Sequence, residues 1–176
     1  VIGYRHADRR FPFLWEGPGQ PPARWNDAGD LPTQYLSDTP DGAWAEFLRH
    51  EEIEDPAELA TIRRALWAVD LGGPVLAISK LPPQTVTGGE DSYRACRSEA
   101  RRLREQGRPG LITRAAALLP GSAGGWRVKG GLTRGAPRTG RSIVLFGERP
   151  DLVGWKACDE GRPGRELLAA VRPLSG

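Results

Sequence analysis

A chain of 176 residues, 39% of them hydrophobic and 27% charged, is long enough to bury its own core and is globular in composition rather than disordered. The net charge of +3, with 22 acids set against the basic residues, argues against a dedicated nucleic-acid binder, and no stretch approaches the roughly 18 apolar residues a membrane helix needs. Cys96 and Cys158 lack CxxC spacing, and His6 and His50 lack HExxH-type spacing; no disulfide framework or metal site is expected, and a reducing cytoplasm fits.

VIGYR alternates weakly and predicts a strand ending at Arg5. Residues 6–23 are rich in Pro, Gly and aromatics, which predicts a loop ordered by Phe11, Phe13 and Trp15. TQYLS reads as a short strand carrying Tyr35. Thr39-Pro40-Asp41 starts a helix: threonine caps, proline fits the first turn, and aspartate suits the positive end of the dipole. Ala43, Trp44, Phe47 and Leu48 form its buried face. Asp55 and Glu58 frame a capping box that predicts a second short helix reaching about Arg64.

WAVDL and PVLAISK predict strands. Asp91 is placed to cap a helix whose apolar positions are Tyr93, Cys96, Ala100 and Leu103, with Gly107 as its stop. GLITRAAALLP is apolar and could be either element type. Residues 121–141 form a glycine-rich basic stretch, read as a flexible loop. SIVLFG and LVGWKAC predict strands, and RELLAAV is a last helix or strand. Helices and strands that interleave without regular alternation indicate an α+β fold, here one domain over residues 1–176.

Neither GxGxxG after a strand nor a Walker loop is present. RSEARRLRE reads as a solvated helix surface. On its own pattern, RWNDAG is a turn with Trp25 in the core, and Glu46 a solvated helix residue.

The elements together carry more. Tyr4-Arg5, then Ala23-Arg24-Trp25-Asn26, then Tyr35 in a strand, then Ala43-Trp44-Ala45-Glu46 in a helix resemble the N-terminal half of the RES domain family, named for its recurrent Arg, Glu and Ser. EQGRPGLITRAAALLPG and SIVLFGERPDLVGW resemble its later segments less specifically. Two positions depart. Ala23 stands where glycine is common, and Arg114-Ala115-Ala116 stands where the family serine belongs, with Thr113 and Ser122 as the nearest hydroxyls.

The resemblance implies an ADP-ribosyltransferase-like fold with mostly antiparallel sheets, and an enzyme that consumes NAD as substrate rather than as cofactor. It implies phosphate or water as acceptor, or in some members a protein. It further implies the toxin of a toxin–antitoxin pair whose antitoxin carries a helix-turn-helix, with room for a homodimer and no direct nucleic-acid or membrane contact. Cleavage of the nicotinamide–ribose bond passes through an oxocarbenium-like transition state and needs charge stabilisation more than a strong acid, because the leaving group is already cationic. On this resemblance Glu46, Arg5 and Tyr35 are the catalytic candidates, and Arg24, Tyr4, Trp25 and Asn26 the NAD-binding ones. Glu46 faces the developing cation, Arg5 and Arg24 meet pyrophosphate or phosphate, and Tyr35 packs on nicotinamide. The alternative is a RES-like domain without catalysis that binds a nucleotide or a partner.

Overall fold

The computed structural model describes residues 1–173. Its frame is a mixed, mostly antiparallel sheet of seven strands: β1 (Ile2–Ala7), β2 (Thr33–Ser37), β3 (Arg64–Asp70), β4 (Ala77–Ile78), β5 (Gly110–Arg114), β8 (Arg141–Phe146) and β9 (Val153–Gly161). Their spatial order is β4-β5-β8-β2-β1-β3-β9, and only β4 and β5 run parallel. A separate two-stranded ribbon, β6 (Trp126–Val128) with β7 (Leu132–Arg134), occupies the glycine-rich basic stretch expected to be a loop. Three α-helices complete the set: α1 (Pro40–His50), α2 (Pro83–Thr87) and α3 (Tyr93–Glu105).

α1 starts as its sequence dictates. The Thr39 hydroxyl accepts the Gly42 N–H at 3.0 Å, Pro40 opens the first turn, and Arg49 and His50 close the last turn at the negative end of the dipole. Its inner face, Ala43, Trp44, Phe47 and Leu48, packs with Leu66, Leu118 and Leu167. α3 buries Cys96, Ala100 and Leu103 against Trp25, Leu111 and Val144. Gly107, at φ +67°, ends α3 in the left-handed region that glycine adopts without cost. Across β8 the side chains alternate. Val144 joins the α3 cluster, while Ile143 and Leu145 join Leu36, Val69 and Leu71 on the other face, where Phe13 stacks on Trp67 at 4.8 Å. Gly110 permits the close approach of β5 and β8, since a Cβ there would lie 2.2 Å from the Val144 carbonyl oxygen.

Several expectations needed correction. The segment after Asp55 is a single 3₁₀ turn, Glu58–Thr61, that buries only Leu59, too little apolar surface to hold a longer helix. PVLAISK contributes just the two residues of β4 to the sheet. Asp91 lies in a 3₁₀ turn ahead of α3, and Ser92 occupies the cap position without a side-chain bond. GLITRAAALLP resolves into β5 followed by a buried loop, and RELLAAV forms a 3₁₀ turn, Arg165–Ala170.

Candidate active site

The sheet parts between β1 and β2. β1 pairs with β3 over six residues and β2 with β8 over five, yet β1 and β2 are in register only at Tyr4–Ser37. A cavity of about 620 Å³ occupies this parting, bounded by β1, β2, α1, the loop 11–16 and the segment around Arg24. That volume lies within the range of small-ligand sites. Among the described residues no group of three His, Cys, Asp or Glu side chains could hold a metal ion.

Glu46, Arg5, Tyr35, Arg24, Tyr4 and Trp25 all line this cavity; Asn26 does not. Asn26 is 1% exposed and stands behind the lining, where it holds other residues in place. Its Oδ1 accepts the Tyr35 hydroxyl at 2.8 Å, and its Nδ2 donates to the Pro21 carbonyl at 2.9 Å. The Tyr35 hydroxyl in turn accepts the Trp25 N–H at 2.9 Å. Burial pushes the Tyr35 phenol well above its ordinary pKa, so it remains a donor to Asn26. The ring of Tyr35 faces the cavity while its hydroxyl is committed to the Arg24–Asn26 segment.

The arginines of α3 explain why that segment is ordered. Arg104 donates to the Trp25 carbonyl at 2.9 Å and to Thr33 Oγ1 at 2.7 Å, pairs with Asp30 at 3.2 Å, and lies over the Phe146 ring. Arg97 donates to the Ala23 carbonyl at 2.8 Å, and Arg97 and Arg101 both pair with Asp27. The part of α3 expected to be a solvated surface is thus the clamp on the Arg24–Trp25 turn. Glu99, 7% exposed, turns the other way and accepts from the Ser79 hydroxyl and the Lys80 N–H, each at 3.0 Å.

Glu46 reaches the cavity from the middle of α1. Its Oε1 accepts the Ala117 N–H at 3.3 Å and the Ser142 hydroxyl at 3.4 Å. Ser142 was not marked by its sequence, and the sheet register shows what it belongs to. Thr113 pairs with Ser142, Ser142 with Ser37, and Ser37 with Tyr4. Directly paired residues share a face, so four hydroxyl-bearing residues lie side by side across four strands, with Ser142 in contact with Glu46, and all four line the cavity. Ala115 is 2% exposed within the α1 core and is not a lining residue; Ala116 is. Of the two hydroxyls nearest the family serine's place in sequence, Thr113 lines the cleft and Ser122 does not, and Ser142 stands beside Thr113 in the pairing.

The cleft lining is net basic, with Arg5, Arg24, Arg49, Arg64 and Arg114 against Asp8, Glu16 and Glu46. At the surface, Arg9, Arg10, Arg101, Arg138 and Arg149 each pair with a carboxylate. In the cleft, Arg5, Arg24, Arg49 and Arg64 have no carboxylate within 4.0 Å among the described residues, and each is bound to neutral acceptors. Arg5 donates to Gln34 Oε1 at 3.3 Å across the parting of the strands. Burial lowers its pKa to about 10, which leaves it cationic at neutral pH. Arg24 donates to the Gly88 carbonyl at 2.7 Å and to Ser92 Oγ at 3.0 Å, with its guanidinium over the Tyr93 ring. Arg64 donates through Nε to His6 Nδ1 at 3.0 Å. Burial, reinforced by Arg64 and Arg5, holds His6 down to about pKa 3, so it is a neutral acceptor beside Trp44 and Phe47.

No curated protein matches the chain. Among solved structures, a chain of the M. tuberculosis MbcT–MbcA toxin–antitoxin complex is similar, with a TM-score of 0.50 and 14% identity over 96% of this chain and 86% of that one. At that identity the likeness is one of fold. The RES domain model matches residues 3–162, which takes in every cleft residue named above, and the chain belongs to the RES domain family.

Proposed function

We propose that the chain is an enzyme that cleaves the nicotinamide–ribose bond of NAD and transfers the ADP-ribosyl group to phosphate or water. The observation that carries this reading is a cleft in which Glu46 stands with Arg5, Arg24, Arg49 and Arg64, none of which has a carboxylate within 4.0 Å among the described residues, while the other lining carboxylates, Asp8 and Glu16, leave these four arginines unpaired. Buried cations without partners favour a ligand that brings its own negative charge, and a dinucleotide pyrophosphate does so.

In the reaction the C–N bond to nicotinamide breaks with its electron pair leaving on the neutral pyridine. Positive charge builds on the ribose carbon and ring oxygen. Glu46 stabilises that charge and receives a ribose hydroxyl. The row Thr113, Ser142, Ser37 and Tyr4 offers donors and acceptors to the ribose beneath it. The acceptor oxygen then bonds to the anomeric carbon; water releases its proton to solvent in doing so, and phosphate attacks as an anion. The aromatic face of Tyr35 packs on the nicotinamide. In its cell the chain acts as a toxin held inactive by a cognate antitoxin. The similar M. tuberculosis fold comes from a toxin–antitoxin complex, which supports this reading.

The test is incubation of the purified chain with NAD, with and without phosphate, followed by mass analysis of the ribosyl product. ADP-ribose 1″-phosphate formed only with phosphate identifies a phosphorylase. ADP-ribose in both identifies a glycohydrolase. Intact NAD in both, with the protein folded, removes the proposal and leaves a nucleotide- or partner-binding domain.

A further inference from the structure

Arg49 stands one turn beyond Glu46 on α1, and both side chains line the cleft. A Glu-x-x-Arg spacing on a helix ordinarily gives a solvated ion pair. Here the two do not pair, and Arg49 is 5% exposed. Its Nη2 donates to the Thr87 and Gly88 carbonyls, each at 3.2 Å, and its Nε–H is buried without a protein acceptor. Arg24, itself 7% exposed, donates to the same Gly88 oxygen at 2.7 Å. Two buried guanidiniums therefore converge on one neutral carbonyl oxygen, and neither has a carboxylate within 4.0 Å among the described residues. Carbonyl dipoles satisfy some of the donors but supply no net charge, and buried cations otherwise come with a counter-charge. Each guanidinium has five N–H donors in a planar fork suited to several oxygens of one tetrahedral anion.

We infer that Arg49 and Arg24 together hold a phosphoryl oxyanion against the 87–88 segment, one helical turn from Glu46. The inference rests on the NAD-cleaving reading for the source of that anion, which is either free inorganic phosphate, the acceptor, or the pyrophosphate of the dinucleotide. It assigns Arg49, which nothing in its sequence context marks, a place in substrate binding.

The experiment is a titration of the full chain, without NAD, followed by the ¹H–¹⁵N signals of the arginine Nε–H groups, with Arg49→Lys used to assign the Arg49 signal. Inorganic phosphate and ADP-ribose are added separately at constant ionic strength, with chloride as control. The affinities are repeated on Arg49→Gln, whose thermal midpoint reports its fold. We expect at least one ligand to shift the Arg49 signal, and Arg49→Gln to weaken that ligand by about 10-fold or more, as loss of a charge-assisted bond does. Weakening of phosphate alone makes this the acceptor position; weakening of ADP-ribose makes it the pyrophosphate contact. If neither ligand moves the Arg49 signal in the wild-type chain, the inference is overturned, and that holds even where Arg49→Gln does not fold. Because no turnover is measured, a chain that binds phosphate at Arg49 but leaves NAD intact keeps this site while losing the enzymatic reading.

Discussion

Tyr35→Phe separates the two duties of Tyr35, because it keeps the ring in the cleft and deletes the hydroxyl behind it. That hydroxyl makes two bonds, accepting from the Trp25 N–H at 2.9 Å and donating to Asn26 Oδ1 at 2.8 Å. Trp25 is 2% exposed and Asn26 is 1% exposed, so neither partner recovers its bond from water. Each buried group left unpaired costs about 1–3 kcal/mol. The phenylalanine itself gains a little from shedding a buried polar atom, so the expected loss is about 2–4 kcal/mol. For a chain of this size that is a large share of a total stability of roughly 5–15 kcal/mol. Urea unfolding followed by tryptophan fluorescence measures it. Asn26→Ala alone is expected to cost about as much, and the double variant less than the sum, with a coupling of about 1–2 kcal/mol because the pair share one bond. If Tyr35→Phe stays within about 0.5 kcal/mol of wild type, or the two changes add without coupling, then the hydroxyl does not anchor the Arg24–Asn26 segment and the clamp described here is wrong.

His6 sets a pH dependence. Its folded pKa is about 3 against an unfolded value of 6.5, so between those values the unfolded chain binds the extra proton and stability falls as pH falls. Against His6→Gln, which still offers Arg64 an acceptor, the wild type is expected to lose about 2 kcal/mol more between pH 6.5 and pH 4.5; parallel unfolding curves at the two pH values would show His6 to be no such contributor. Ser142→Ala removes the hydroxyl donated to Glu46 and is expected to lower the rate of nicotinamide release about 3- to 10-fold with little change in stability. A rate equal to wild type would take the hydroxyl row out of the mechanism. Arg104→Met keeps the packing on Phe146 but loses the bonds to Trp25 and Thr33; we expect a loss of about 2–3 kcal/mol and a raised KM for NAD, and a chain unchanged in both by calorimetry and kinetics contradicts the clamp.

The parts of this fold that were legible are those specified locally. β2 was marked by its β-formers, α1 by Thr39, Pro40 and the spacing of its apolar face, and the end of α3 by Gly107. α2 was not, because LPPQT carries two prolines and no helical periodicity; its Val86 packs under α3 and Arg49 holds its end. The loop expected over 121–141 folds into a ribbon whose side chains are largely exposed, so no buried stripe announced it. Within the cleft, Glu46, Arg5, Arg24, Tyr4 and Tyr35 were reached through family resemblance rather than through any local rule. Thr113 was a candidate only through its nearness to the family serine's place, and Ser142 was not marked at all. Their alignment with Ser37 and Tyr4 depends on the pairing of β5, β8, β2 and β1, which lie far apart in sequence. Arg49 and Arg104 look like ordinary helix-surface arginines until the partners of each are known.

Whether Glu46 performs the chemistry in the parted sheet is decided by the rate of nicotinamide release from NAD by Glu46→Gln beside the wild type, with folding matched by circular dichroism. Glutamine keeps the shape of the side chain and an acceptor for the Ala117 N–H while removing the charge. We expect a fall of about 100-fold or more in kcat with NAD still bound, the size expected for one lost transition-state contact. A Glu46→Gln enzyme that releases nicotinamide at the wild-type rate would contradict that role of Glu46.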